Sequence, residues 1–81
     1  MNFKNFEKFE TDYKNFMKND YIDFLAVKNE IDEKACINGY ANQDFDFEER
    51  NSKGKVKLFY FNIQVEETAD GDFVYTYTYL G

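Results

Sequence analysis

The sequence predicts an α+β domain in which one or two N-terminal helices pack on one face of a three-stranded antiparallel meander sheet. In the first third of the chain, apolar residues recur at spacings of three and four, which is typical of an amphipathic helix. In the second half they alternate with polar residues between two glycine-containing turns, which is typical of successive hairpins. For 81 residues we expect a single domain over 1–81, helical over 1–33 and a β-meander over 35–80.

The first predicted helix has an aromatic stripe. Phe3, Phe6, Phe9, Tyr13 and Phe16 follow one another at three or four positions, so they share one side of a helix with 3.6 residues per turn. Lysines and acids fill most of the positions between them. This side of the helix is therefore expected to cover the sheet.

A second helix is expected over 21–33. Asn19 or Asp20 would cap it, because these side chains accept hydrogen bonds from the free N–H groups of a first turn. Apolar residues also alternate over 22–26, so a strand remains an alternative for this segment. The inner face of the helix would consist of Phe24, Val27 and Ile31.

Three strands are expected at about 35–49, 55–67 and 73–80, where β-branched and aromatic residues are frequent. The turns at 51–55 and 68–72 each place a glycine third in a three-residue loop. That position needs a left-handed backbone, which only glycine adopts without steric cost. We therefore predict two hairpins with three-residue loops.

These loops predict which side chains face one another across the sheet. A shorter loop would place valine and isoleucine against threonines, because a slip of one residue turns a whole strand over. The expected pairs are Val65 with Tyr75, Ile63 with Tyr77, Phe61 with Tyr79, Phe47 with Phe59 and Phe45 with Phe61. The expected inner face is Ile37, Ala41, Phe45, Phe47, Phe59, Phe61, Ile63, Val65, Phe73, Tyr75, Tyr77 and Tyr79.

The opposite sheet face is expected to be mostly polar, since antiparallel sheets commonly leave one face in water. Four apolar residues interrupt it and are expected to gather near one end: Leu58, Tyr60, Val74 and Leu80. The polar residues predicted on this face are Asn38, Tyr40, Asn42, Asp44, Asp46, Glu48, Asn62, Gln64, Glu66, Thr76 and Thr78.

The residue inventory argues against an enzyme. There is no histidine, one cysteine and one serine, so neither a Ser-His-Asp nor a Cys-His arrangement can form. The same inventory cannot supply a zinc site, and no phosphate-binding glycine motif is present. We expect no catalytic residues, no cofactor and no metal. Cys36 cannot form an intramolecular disulfide, and no apolar run suggests a signal peptide or membrane span, so a cytoplasmic location is expected.

Charge is distributed unevenly along the chain. The net charge is -6, and residues 20–49 hold nine acids against two lysines, whereas residues 50–57 hold four basic residues at a predicted turn. A negative field disfavours nucleic acid and anionic membranes as direct partners and favours a protein with a basic surface. A nuclease or another nucleic-acid-binding protein would provide such a surface.

The leading hypothesis is a small inhibitor that binds another protein. On one strand face, Asp44, Asp46 and Glu48 would stand about 6.6–6.8 Å apart, close to the spacing of phosphates along nucleic acid, so the surface would mimic DNA toward a basic cleft. In size and acidity the chain resembles short phage proteins that inhibit host defence nucleases, anti-CRISPR proteins among them. That resemblance implies a counter-defence role in the host cytoplasm. The expected partner-binding residues are Asp44, Asp46, Glu48, Glu66, Tyr40, Tyr60, Asp32 and Glu33.

Two alternatives remain open. An immunity or antitoxin protein that neutralises a basic toxin would use the same surface physics. A structural module would instead form a homodimer, either through the exposed apolar residues or through the third predicted strand, which has neither proline nor internal charge over 73–79 and would leave an unprotected edge.

Overall fold

The structure, a computed structural model, describes residues 2–81; Met1, where the predicted helical segment begins, lies outside this range. It confirms the α+β class, with two helices on one face of a sheet, but the sheet has four strands in the order β1-β4-β3-β2. The elements are β1 (Asn2–Lys4), α1 (Phe6–Met17), α2 (Phe24–Ile37), β2 (Gln43–Arg50), β3 (Val56–Glu67) and β4 (Phe73–Tyr79).

Both hairpins form as predicted. Gly54 and Gly71 adopt left-handed φ values of 79° and 83°, as the three-residue loops require. In the first loop the Asn51 amide donates to the Lys55 carbonyl at 2.9 Å. All five predicted apolar pairs are confirmed, from Phe45 with Phe61 through Val65 with Tyr75.

Phe3 is not part of α1, contrary to the prediction. Residues Asn2–Lys4 form β1, which runs parallel to β4 and sets Phe3 opposite Tyr77. The two rings stack with centroids 4.9 Å apart. Asn5 has a left-handed φ of 58° between β1 and α1, and its side-chain amide donates to the Tyr79 carbonyl at 3.3 Å. The sheet is therefore mixed rather than purely antiparallel, and β4 is not a free edge over 76–78.

The segment after residue 33 also differs from the prediction. A strand was expected from 35, but α2 continues to Ile37 and β2 begins only at Gln43. Ile37 and Ala41 are exposed instead of lying on the inner sheet face. The run Glu33, Lys34 and Ala35 consists of strong helix formers, which explains why the helix continues.

The cap of α2 also differs from the prediction. Asp23, rather than Asn19 or Asp20, precedes the first helical turn. Its carboxylate accepts from the amides of Leu25 at 3.1 Å and Ala26 at 3.4 Å. The helix is nevertheless confirmed in place of the strand alternative. Its predicted inner residues Phe24, Val27 and Ile31 pack in or against the core, as expected.

The hydrophobic core lies between the helices and the inner sheet face, and aromatic rings dominate it. Phe9, Phe59, Phe61 and Tyr77 have no exposed surface. The molecule is elongated, 47 × 21 × 19 Å in its Cα extents, and the end of the β3–β4 hairpin is poorly covered. Phe73, predicted on the inner face, is consequently 59% exposed.

Lys18 ends α1 in a strained conformation that suggests a stabilising change. Its φ of 57° and ψ of 40° are left-handed, which costs a side-chain-bearing residue about 1–2 kcal/mol. We expect Lys18→Gly to raise the free energy of unfolding by about 0.5–1 kcal/mol, measured by urea denaturation. Lys14→Gly, inside α1, should lower it by about 1 kcal/mol, and an equal response of both variants would contradict the prediction.

Candidate functional site

No helix of residues 2–81 covers the outer sheet face. This face exposes an apolar cluster, here called the outer apolar patch, formed by Val56, Leu58, Tyr60 and Leu80. The exposed fractions of these residues are 46%, 37%, 46% and 52%. The Leu80 amide donates to the Tyr60 carbonyl at 2.8 Å, which places the two residues side by side. Val74, predicted in the same cluster, pairs with Glu66 toward the opposite end of β3 and is not part of the patch.

Three acids on β2 border this patch and are here called the β2 acidic row: Asp44, Asp46 and Glu48. They alternate with the buried Phe45 and Phe47, so they point to the outer face as predicted. The sheet register places Asp46 opposite Tyr60, Glu48 opposite Leu58 and Asp44 opposite Asn62. An acidic edge and an apolar centre therefore lie next to each other on one accessible surface.

The three carboxylates of the row differ in whether a hydrogen bond or an ion pair already occupies them. The Asp44 carboxylate accepts a hydrogen bond from the Asn62 amide at 2.8 Å, and the Asn62 amide oxygen accepts one from Gln64 at 3.0 Å. Glu48 is exposed and forms no ion pair within residues 2–81. Glu48 is thus the carboxylate most available to a partner.

Asp46 forms an ion pair with a lysine of α2, which lies on the other side of the sheet. The Lys34 ammonium of α2 lies 3.3 Å from its carboxylate. Because α2 packs against the inner face and Asp46 points to the outer face, the Lys34 side chain passes around the β2 edge. This ion pair partly neutralises the row at the middle of that edge strand.

Two other predicted site residues lie elsewhere. Tyr40 follows α2 in a loop rather than lying on a strand, and its ring stacks on Phe45 with centroids 5.2 Å apart. Asp32 accepts a hydrogen bond from the Tyr77 hydroxyl at the boundary between α2 and the sheet. Neither residue therefore belongs to the outer face.

The remaining predicted residues are accessible but separate. Glu33 is exposed on α2, away from the outer face. Glu66 is on the outer face but pairs with Val74, toward the far end of β3. Tyr60 lies beside the acids, as expected. Of the predicted site residues, the structure therefore brings together Asp44, Asp46, Glu48 and Tyr60. Val56 of β3 lies on the same face but was not predicted as a site residue, although the predicted register already placed it there.

Three core tyrosines join the helices to the sheet through hydroxyl–carboxylate hydrogen bonds that sequence analysis missed, because it treated these side chains as apolar. Burial, and then the bond to a carboxylate, raises the pKa of each hydroxyl well above its usual value. The Tyr79 hydroxyl in turn lowers the pKa of Asp12. The pairs are Tyr13 with Glu49 at 2.7 Å, Tyr79 with Asp12 at 2.7 Å, and Tyr77 with Asp32.

The structure also has an open cleft of about 590 Å³ between the helices, their connecting loop and the β2–β3 turn. Its walls combine apolar side chains such as Met17 and Ile22 with polar ones such as Lys18 and Asp23. In residues 2–81, no group of three or more cysteines, aspartates or glutamates is arranged to hold a metal ion. No helix of this part of the chain is long and apolar enough to cross a membrane.

No family model matches the chain, and no match is found among curated proteins or solved structures.

Proposed function

We propose that this protein is a small acidic inhibitor that binds a basic surface of another protein through the β2 acidic row. The observation behind the proposal is that three acids stand in line on a sheet face that no helix covers. With a net charge of -6, the chain would attract basic partners at long range, and complementary fields speed association and select among partners.

The partner class we propose is a nucleic-acid-binding protein, such as a nuclease of a host defence system, with the inhibitor encoded by a phage or mobile element. Small size and acidity support this class, as in anti-CRISPR proteins. Alternate side chains of a strand are about 6.6–6.8 Å apart, so the row would occupy positions comparable to successive phosphates. DNA mimicry would be the inhibitory mechanism.

Two contacts make the row a weaker mimic than bare phosphates. Lys34 pairs with Asp46, and Asn62 donates to Asp44. Exposed ion pairs contribute only about 0.2–1 kcal/mol each. Charge alone would then give modest affinity, so we expect other contacts on the same face to contribute to binding.

The experiment is competition between this protein and labelled DNA for a panel of RNA-guided nucleases, measured by fluorescence anisotropy. The variant with Asp44→Asn, Asp46→Asn and Glu48→Gln should inhibit about tenfold or more weakly, because three favourable charge contacts are lost. Raising the salt concentration should weaken the wild-type protein in the same assay, because exposed charges are screened.

A matched variant removes the same charge elsewhere: Asp20→Asn, Glu30→Gln and Asp70→Asn, all at exposed positions. It should inhibit nearly as well as the wild type. Equal loss in both variants would show that only net charge matters, and full inhibition by the first variant would reject the row as the site. If no nuclease is inhibited but a basic ribonuclease toxin is, the antitoxin alternative replaces the nuclease as partner class.

A further inference from the structure

The outer face contains more than a row of charges. Leu58 and Tyr60 lie directly beside Glu48 and Asp46 in the register of β2 and β3. They lie on β3, an inner strand of the sheet, near the end of the outer face that is closest to the β2–β3 turn. Contiguous exposed apolar surface that is bordered by polar residues is typical of an interaction site. Phosphate-binding clefts offer little to such side chains, so DNA mimicry leaves the outer apolar patch unexplained.

The sheet edges leave little room for strand addition. Lys34 passes around the edge of β2 at Asp46, at the middle of that strand. The edge of β4 is occupied over 76–78 by β1, and β1 itself has only three residues. At these positions an extended segment from another protein would have to displace one of these elements. The outer face of the sheet, by contrast, is not covered by any helix of residues 2–81.

A second copy of the chain fits this face poorly. Four acids point to it, Asp44, Asp46, Glu48 and Glu66, against the basic residues Lys4 and Arg50 and the Lys34 ammonium that pairs with Asp46. Two identical molecules with a net charge of -6 would bring these faces together against mutual repulsion. A basic partner meets the same face with attraction.

We infer that the outer face binds an amphipathic basic α-helix of the partner, with its apolar stripe on the outer apolar patch and its lysines or arginines over the β2 acidic row. The inner face of the same sheet is already covered by helices through apolar stripes, and a helix with such a stripe is one of the layers that pack on a sheet face. From Val56 to Tyr60 the patch extends about 14 Å, which a helix covers in two to three turns. The inference rests on the proposed function, since it assigns the same row to the basic contact.

The test uses a fluorescent peptide of about 14 residues made of leucine and lysine at helical spacing, so that one side is apolar and the other basic. A scrambled peptide of the same composition lacks this pattern. Binding is measured by anisotropy, and the contact surface is mapped by backbone amide shifts in NMR spectra of the wild-type protein. We expect the amphipathic peptide alone to shift residues of the outer apolar patch and the β2 acidic row.

Two double variants separate the patch from other exposed apolar surface. Leu58→Ser with Tyr60→Ser should weaken peptide binding about tenfold or more. The matched control, Leu25→Ser with Tyr21→Ser, changes the same residue types at positions 69% and 95% exposed, away from the sheet, and should bind within about twofold of the wild type. If the patch variant loses its fold, the amide-shift map on the wild-type protein still decides the question.

Several outcomes overturn the inference. These are equal binding of the scrambled peptide, amide shifts confined to the helices or the cleft, and equal effects of the two double variants. Sedimentation should show a monomer, and a dimer that the patch variant dissociates would establish a second copy as the occupant instead. If the β2 triple variant loses nuclease inhibition while the patch variant inhibits normally, the inference fails and the proposed function stands. If the triple variant inhibits normally, the proposed function itself fails.

Discussion

Replacing Phe9 with alanine should lower the free energy of unfolding by about 3–5 kcal/mol. The ring has no exposed surface and lies at the centre of the contact between α1 and the sheet. At roughly 0.05–0.15 kcal/mol per residue, a domain of 81 residues has only about 4–12 kcal/mol of stability to lose. The rings with centroids 5.1–5.4 Å from that of Phe9 are Phe6, Tyr13, Phe59, Phe61 and Tyr79.

Urea denaturation followed by circular dichroism measures this loss. Phe73→Ala makes the same substitution at a position that is 59% exposed, and it should cost less than about 1 kcal/mol. Phe16→Ala should fall between the two, because Phe16 only packs against the core from its margin. If Phe9→Ala were as stable as Phe73→Ala, the aromatic cluster would not be the main source of stability.

The domain should lose stability steeply above about pH 10. Tyr13, Tyr77 and Tyr79 have raised pKa values in the fold, so the folded state keeps three protons that the unfolded chain releases near pH 10. Their contribution is fully present below that pH and is lost as pH rises toward the folded values. Above the unfolded pKa, each group lowers the free energy of unfolding by about 1.4 kcal/mol per pH unit. The three together give a slope of about 4 kcal/mol per pH unit.

Denaturation at a series of pH values, with tyrosinate absorbance as a second readout, checks this slope. Tyr79→Phe is the most informative variant, because Asp12 keeps Lys8 as an ion-pair partner at 3.2 Å when the hydroxyl is gone. It should flatten the slope by about one third. An unchanged slope would show that the Tyr79 proton is not linked to folding.

Lowering the pH should also reduce the stability of the domain, through protonation of Asp12. The Tyr79 hydroxyl lowers the pKa of this carboxyl in the fold, so its contribution is present above the unfolded value near 3.9 and is lost as pH falls through the folded value. The hydrogen bond between Tyr79 and Asp12 therefore makes the free energy of unfolding depend on pH in both the acid and the alkaline range.

Local patterns were sufficient for the hairpins and for most of α1. Gly54 and Gly71 each occupy the third position of a three-residue loop. With that loop length, the alternation that puts Phe45, Phe61 and Tyr77 on one sheet face determines the register. From that register, the outward direction of the β2 acidic row and the neighbouring Tyr60 also followed. These features depend on residues close in sequence or on simple alternation.

Local patterns misassigned Phe3 and the segment 35–41. Phe3 continues the spacing of the α1 stripe, and only its parallel pairing with Tyr77, far along the chain, places it in a strand. Over 35–41, weak alternation suggested a strand, whereas helix propensity extended α2 to Ile37. Long-range pairing therefore decided the place of Phe3, whereas a local signal, helix propensity, decided the end of α2.

The sequence by itself determined the α+β class, the two hairpin registers and an acidic strand face, because glycine positions and side-chain alternation act over a few residues. Only the tertiary structure decided that β1 completes the sheet, that Lys34 reaches Asp46 around an edge, and that tyrosine hydroxyls meet carboxylates at the boundary between helices and sheet. Those contacts join residues distant in sequence, and their partners are selected by how the layers pack rather than by any local pattern.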